Sequence, residues 1–154
     1  MSDSQQLRDT IHASCVAIDG HGVLLCGASG SGKSDLTLRL LDRGAGLVSD
    51  DYTMVERRGE RLFASAPPTI AGKIEVRGLG IIDWPAVASA PVVLQIALDA
   101  PVERMPPEKL DCRDILGVAV PTMAIEALHA SAPIKTELAV RAIVGAVHNS
   151  GRDD

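Results

Sequence analysis

Short apolar or alternating segments, separated by glycine, proline and charged residues, make up most of the hydrophobic pattern of this chain. Segments of this length predict β-strands rather than helices. The predicted strands are residues 13–18, 23–26, 47–49, 52–56, 61–64 and 91–97. Turn residues join the first strand to the second and the fourth to the fifth, so the pattern also predicts two hairpins.

Two longer segments predict helices, residues 35–43, which are rich in leucine, and residues 134–147, where apolar residues recur near helical spacing. Gly44 is placed to cap the first helix. Many strands with few helices predict a mixed α/β domain. The length of 154 residues predicts one domain over residues 11–150, with a flexible N-terminus at 1–10 and a frayed tail at 151–154.

The composition restricts both the core and the partners. Hydrophobic residues make up 46% of the chain, but only Tyr52, Phe63 and Trp84 are aromatic, which predicts an aliphatic core and few rings for stacking a base. The net charge of −5 argues against a nucleic-acid partner, which would require a basic face. We also expect no membrane partner and a cytoplasmic location, because no apolar run approaches a membrane span and no signal peptide is recognisable.

The cysteines Cys15, Cys26 and Cys112 are odd in number and scattered, without metal-ligand spacing. We expect buried free thiols, with a regulatory thiol as the alternative.

A complete phosphate-loop motif stands between the strand at 23–26 and the helix at 35–43: Gly27-Ala28-Ser29-Gly30-Ser31-Gly32-Lys33-Ser34. Its glycines let backbone amides close around phosphate oxygens at the N-terminus of a helix. We expect Lys33 to reach the terminal phosphates and the Ser34 hydroxyl to ligate Mg²⁺. The motif therefore predicts binding of a nucleoside triphosphate.

Two acidic segments are candidates for the chemistry. Asp50 and Asp51 end the strand at 47–49, where a carboxylate can meet Mg²⁺ or the attacking nucleophile. Because neighbouring strand residues point to opposite faces, we expect one to accept a hydroxyl proton and the other to position metal-bound water. A polar turn is the alternative interpretation.

The second acidic segment is Glu75-Val76-Arg77-Gly78-Leu79-Gly80-Ile81-Ile82-Asp83, which brings a carboxylate and a guanidinium close to two glycines. Glu75 could complete Mg²⁺ coordination and Arg77 could neutralise a transferred phosphate. A surface strand with a bulge is the alternative. His12, just before the first strand, is by itself typical of a structural histidine.

Taken together, these segments resemble the C-terminal catalytic domain of the HPr kinase/phosphorylase family, bacterial serine kinases that act on the phosphocarrier protein HPr. The resemblance extends from His12 to about Asp83 and includes Ile11-His12, the phosphate loop, residues 44–51 and residues 75–82. It implies a phosphate-loop fold related to phosphoenolpyruvate carboxykinase, with a mixed sheet and flanking helices. The chain looks like the short form of α-proteobacteria, without the N-terminal domain of the long members.

The resemblance implies transfer of phosphate from ATP, with Mg²⁺, to a serine of an HPr-like protein of a phosphotransferase system. Asp51 would be the general base, Lys33 would bind the phosphates, and His12 would be a further active-site residue. Ser34 and Glu75 would hold Mg²⁺, with Asp50 beside them. Arg104 falls near the family's later catalytic arginine, although the local match is weak. Members are typically hexameric, so we expect a homo-oligomer.

One departure from the family lies after residues 116–121, where long members carry a proline-glycine-arginine-asparagine motif. Here the chain reads Thr122-Met123-Ala124-Ile125-Glu126, so kinase activity is better supported than phosphorylase activity. Two alternatives stay open: a small-molecule kinase or carboxykinase-like enzyme, and a nucleotide-binding regulatory module with weakened catalysis.

Overall fold

The structure is a computed structural model that describes residues 7–152, with side chains described for residues 7–145. Eleven strands and two helices are formed by these residues. In chain order they are β1 (Arg8–His12), β2 (Ser14–Ile18), β3 (His21–Cys26), α1 (Lys33–Asp42), β4 (Gly46–Ser49), β5 (Tyr52–Arg58), β6 (Arg61–Ser65), β7 (Lys73–Val76), β8 (Gly80–Asp83), β9 (Ala90–Ala97), β10 (Cys112–Ile115), β11 (Val118–Ala124) and α2 (Ala132–Arg152).

Nine of the strands form one mixed sheet, in the order β1-β5-β6-β9-β3-β2-β4, with β11 pairing β9 and β10 pairing β11. The long strand β9 is central, because it runs parallel to β3 and β11 and antiparallel to β6. The strands β7 and β8 form a separate antiparallel hairpin. The predicted mixed α/β class is confirmed, and so are the hairpins β2–β3 and β5–β6.

The core lies on both faces of the sheet, which explains why β2 and β3 are nearly unbroken apolar runs. Every residue of β2 is buried. Its Val16 and Ile18 belong to the cluster that includes Leu36 and Leu40 of α1. The residues that alternate with them, Cys15 and Ala17, belong to a second cluster under β5 and β6. The phosphate-loop segment therefore follows a strand that is fixed from both sides.

The first helix ends where Gly44 was predicted to cap it. Gly44 has a φ of 106°, and its N–H donates to Leu41 O at 3.0 Å, while Ala45 N–H donates to Leu40 O at 3.0 Å. This pair of hydrogen bonds is the Schellman arrangement, in which a left-handed residue just past the helix satisfies its last carbonyls.

The strands β1, β10 and β11 were not predicted, since they are polar or contain proline. The strands β7 and β8 were not predicted either, because they lie in a glycine-rich segment for which a surface strand was only the alternative interpretation. Residues 8–10, which were predicted to be flexible, pair with β5 along β1, so the ordered sheet begins before residue 11. The tail predicted to be frayed is residues 151–154, and its first two residues belong to α2, which ends at Arg152. Residues 1–6 and 153–154 lie outside the described part of the chain. A single domain over residues 11–150 stays a prediction.

The cysteines differ in their surroundings, so the prediction of buried thiols holds only in part. Cys15 is buried, which raises the pKa of its thiol to about 12, and Cys26 is half-buried. Cys112 is exposed, contrary to the prediction, because it begins the peripheral strand β10.

Within residues 7–152, no helix is both long enough and apolar enough to cross a membrane.

Because the core lies on both faces of the sheet, a leucine-to-alanine substitution should cost much more stability in the central strand than on the surface. Leu94 of β9 is fully buried, whereas Leu79 in the β7–β8 turn is 74% exposed. We expect Leu94→Ala to lower the free energy of unfolding by about 2–5 kcal/mol, because it leaves a cavity in the central strand. Leu79→Ala should change it by less than about 0.5 kcal/mol. Urea unfolding of both variants tests this, and similar losses for the two would contradict the described position of β9.

Candidate functional site

The predicted phosphate loop, Gly27–Ser34, connects β3 to α1, and two of its glycines adopt a left-handed backbone conformation. Gly30 and Gly32 have φ values of 88° and 92°, in the left-handed region that side-chain-bearing residues rarely adopt. Ser31 N–H donates to Ala28 O at 3.0 Å and closes a turn inside the loop. The helix then begins at Lys33, so its unpaired N-terminal amides face the loop.

Three chemically active side chains meet beside this loop. Lys33 Nζ lies 2.7 Å from Asp51 Oδ1 and 3.0 Å from His12 Nε2, and His12 Nε2 lies 3.0 Å from Asp51 Oδ1. His12 also stacks on the ring of Tyr52, with a centroid separation of 5.0 Å. The three residues come from α1, the end of β1 and the turn after β4, so folding of the sheet brings them together.

The ion pair sets the protonation state of Asp51. Burial alone would raise the pKa of its carboxyl group, but the hydrogen bond and positive charge of Lys33, together with His12, outweigh burial and hold the pKa below its ordinary value. Asp51 is therefore an ionised carboxylate at neutral pH. The Lys33 side chain is only 7% exposed, while that of Asp51 is 52% exposed and can meet a ligand.

Ser14 is fully buried, and its hydroxyl forms hydrogen bonds to both residues of the Asp50–Asp51 turn. Its Oγ accepts the Asp51 N–H at 2.9 Å and donates to Asp50 Oδ1 at 3.4 Å. Asp51 has a φ of 68°, a conformation that aspartate tolerates better than most residues. The serine hydroxyl thus fixes a strained backbone and one carboxylate at once.

Asp50 connects the turn to the β7–β8 hairpin, since its Oδ2 accepts the Glu75 N–H at 2.9 Å. Burial raises the pKa of Asp50 above its ordinary value, and the hydrogen bond from Glu75 N–H opposes the shift without cancelling it. The neighbouring carboxyls Asp50 and Asp51 therefore have pKa values shifted in opposite directions, as groups with different roles commonly do.

His12, Lys33, Asp50, Asp51 and Glu75 all line one open cavity of about 890 Å³. It is large enough for a nucleotide-sized ligand. The lining residues come from the end of β1, from the phosphate loop and α1, from the acidic turn and from the β7–β8 hairpin, with Leu128 from the loop before α2: His12, Ala28, Ser29, Gly30, Gly32, Lys33, Ser34, Asp35, Leu38, Asp50, Asp51, Glu75, Val76, Arg77 and Leu128.

Ser34, Asp50 and Glu75, the predicted Mg²⁺ ligands, all line this cavity. Among the described residues, no three His, Cys, Asp or Glu side chains form a cluster that could enclose a metal. Magnesium needs no such cluster, because it commonly uses one or two carboxylates and fills its other positions with water and phosphate oxygens. The available hydroxyl and carboxylate oxygens therefore fit that ion.

The structure does not bring every predicted residue to the site. Arg104 lies in the exposed segment between β9 and β10 and does not line the cavity. Three contributors were not predicted: Ser14, Leu128, and Asp99, whose Oδ2 accepts the Ala28 N–H of the loop at 3.1 Å. Their roles depend on contacts between segments distant in sequence, so no local pattern signals them.

Comparison with known proteins reveals one family over nearly the whole chain. The family model described as "HPr Serine kinase C-terminal domain" matches residues 4–146. A solved structure titled "Structure of the Hpr(Ser) kinase/phosphatase from Coxiella burnetii" is similar with a TM-score of 0.79 and 32% identity, covering 91% of this chain and 99% of that one. The predicted fold and family resemblance are confirmed.

Curated relatives match a shorter region. HPr kinase/phosphorylase from Chlorobium limicola is 44% identical over 85 residues, which are 54% of this chain and 26% of that protein. The protein of the same name from Clostridium tetani is 42% identical over 86 residues, covering 56% and 28% of the two chains. The match thus spans about a quarter of the length of these relatives.

The contacts of Ser14 predict that its hydroxyl stabilises the acidic turn. Ser14→Ala leaves the Asp51 N–H without its partner and should lower the free energy of unfolding by about 1–3 kcal/mol. Ser89→Ala is the matched control, because Ser89 Oγ is also buried but has no hydrogen-bond partner among the described residues. Urea unfolding should show little or no loss for that control. Equal losses in the two variants would rule out a specific role of the Ser14 hydroxyl.

Proposed function

Because the chain belongs to the family of the HPr serine kinase C-terminal domain, we propose that it transfers the γ-phosphoryl group of ATP, with Mg²⁺, to a serine of an HPr-like phosphocarrier protein. The observation that carries this proposal is the contact of Lys33 with both Asp51 and His12 beside the loop. A lysine for the donor phosphates and a carboxylate for the acceptor hydroxyl then lie within one hydrogen bond of each other.

The loop and Lys33 form the donor side. The loop amides other than those of Ala28 and Ser31, which already donate within the protein, bind the phosphate oxygens together with the N-terminus of α1, and the Lys33 ammonium binds the terminal phosphates. Ser34, Asp50 and Glu75 would hold Mg²⁺, which supplies charge neutralisation on the phosphates when it is bound. Asp50 is held for this role by Ser14 and by the Glu75 N–H.

Asp51 acts on the acceptor side as the base that receives the proton of the serine hydroxyl. The serine oxygen forms a bond to the γ-phosphorus, the bond between that phosphorus and the β,γ-bridging oxygen breaks, and the serine proton passes to Asp51 Oδ1 or Oδ2. ADP and phosphoserine are the products. Phosphoryl transfer requires little basicity, because proton loss trails bond cleavage in a loose transition state, so an Asp with a lowered pKa is sufficient. His12 helps to position the carboxylate, because its Nε2 contacts the same oxygen, Asp51 Oδ1, as Lys33 does.

Residues 122–126 contain no arginine or asparagine where long members carry the motif associated with the phosphorylase direction, so we propose the kinase direction as the principal activity. Arg104 as a catalytic residue, a cytoplasmic location and homo-oligomeric assembly stay predictions.

Replacement of Asp51 tests the mechanism. In an assay with ATP labelled at the γ-phosphate and cognate HPr, Asp51→Asn should lower kcat by about 100-fold or more, because the amide cannot accept the serine proton. Asp19→Asn is the matched control, since Asp19 is also an exposed aspartate with positive φ, at 52°, in the β2–β3 turn. It should retain activity within about twofold.

The outcomes of this assay separate the candidate functions. Label on an HPr serine that disappears only in Asp51→Asn supports the proposed kinase. Nucleotide binding without labelling of HPr would instead favour a regulatory module. Label on a metabolite in place of HPr would indicate a small-molecule kinase.

A further inference from the structure

One loop presents an exposed apolar side chain to the cavity. Leu128 lies between β11 and α2 and is 73% exposed, although its neighbour Ala127 is buried. A Cβ added at Gly32 would lie 2.9 Å from Ala127 Cβ and 3.1 Å from Leu128 Cδ2. The loop therefore packs directly on the residue that precedes α1, and Leu128 lines the cavity.

Arg39 of α1 holds this loop in place. Its guanidinium donates through Nη1 to His129 O at 3.0 Å and through Nη2 to Ala127 O, so it binds the carbonyls on both sides of Leu128. Its Nε donates to Asp35 Oδ2 at 2.9 Å, which fixes the guanidinium on the helix surface. A rigid fork that binds two carbonyls restricts the loop more than a flexible lysine would. Leu128 is thus held in a fixed, solvent-facing position.

The position of Leu128 relative to the charged groups indicates what it contacts. The groups suited to the transferred phosphate are Lys33 Nζ and the side chains from β1, the acidic turn and β7. The other side chains of the lining are those of Ala28, Ser29 and Ser34 of the phosphate loop, Asp35 and Leu38 of α1, Val76 and Arg77 of the β7–β8 hairpin, and Leu128. Leu128 is the one large apolar side chain among these lining residues that is exposed, since Leu38 and Val76 are half-buried. A nucleoside that shares this cavity with phosphates at Lys33 and Asp51 therefore finds its exposed large apolar contact at Leu128.

We propose that Leu128, positioned by Arg39, forms the apolar contact for the nucleobase; this rests on the proposed function. The described cavity lining contains no Phe, Tyr or Trp to stack a base and no Asn or Gln to read its edge. An aliphatic contact discriminates weakly between ligands, whereas hydrogen-bonding groups discriminate strongly. The contact of a base with Leu128 therefore contributes about equally to the binding of adenine and guanine nucleotides.

Calorimetric binding of non-hydrolysable ATP and GTP analogues with Mg²⁺ tests the contact. Leu128→Ala should weaken both analogues by the same factor, about fivefold or more, because the lost surface is apolar and not specific for either base. Inorganic tripolyphosphate, which has no base, should bind the variant and the native chain equally. Leu128→Met, which preserves the volume, should restore the affinity for both analogues.

Two further variants complete the test. Leu138→Ala is the matched control, since Leu138 is 58% exposed on α2 and does not line the cavity. It should leave binding unchanged. Arg39→Ala should reproduce the effect of Leu128→Ala on both analogues without changing tripolyphosphate binding or kcat at saturating nucleotide.

Different results would contradict the role of Leu128 and the proposed function. Unchanged nucleotide affinity in Leu128→Ala, with a raised KM for HPr, would overturn the proposal and assign Leu128 to the protein substrate. A preference above about 100-fold for one base would contradict an apolar contact. Failure of the native chain to bind either analogue or tripolyphosphate would contradict the proposed function itself.

Discussion

The ion pair between Lys33 and Asp51 is the interaction on which the site depends. A lysine that is 7% exposed requires a counter-charge, because burial of an unpaired ammonium is costly. Asp51 supplies it from the turn after β4, and His12 contacts both groups from the end of β1. These contacts therefore require the end of β1, the end of β4 and the start of α1 to lie next to one another. In the proposed kinase, the same lysine passes from Asp51 to the donor phosphates.

The sheet holds Lys33, Asp51 and His12 in fixed positions relative to one another. The strand β2 is buried on both faces, and its first residue, Ser14, is the one that binds the Asp50–Asp51 turn. The hydrogen bond from Glu75 N–H to Asp50 then attaches the β7–β8 hairpin, which packs outside the main sheet. A displacement of Ser14 at the start of β2 or of Glu75 in β7 would release the Asp50–Asp51 turn from its hydrogen bonds, so the geometry of the candidate site depends on the packing of the strands.

Sequence reasoning was most successful where a local rule is strong. Fully buried strands and the glycine cap at residue 44 each have a pattern confined to a few residues, and the structure confirms them. It also places the predicted phosphate loop between a strand and a helix, as its motif requires. The strands β1, β10 and β11 were missed because their pairing partners, rather than their composition, make them strands. For the same reason Ser14 and Leu128 could not be assigned to the site, since one contacts a turn 37 residues away and the other a glycine far upstream.

A crystal structure of the chain with Mg²⁺ and a non-hydrolysable ATP analogue tests the central claim most directly. We expect phosphate oxygens on the unpaired amides of the phosphate loop, Lys33 Nζ on the terminal phosphates, and Asp51 facing the γ-phosphate with room for a serine hydroxyl between them. A triphosphate bound away from the loop would contradict it. So would a bound triphosphate whose γ-phosphate lies far from Asp51, because donor and acceptor groups would then belong to different sites.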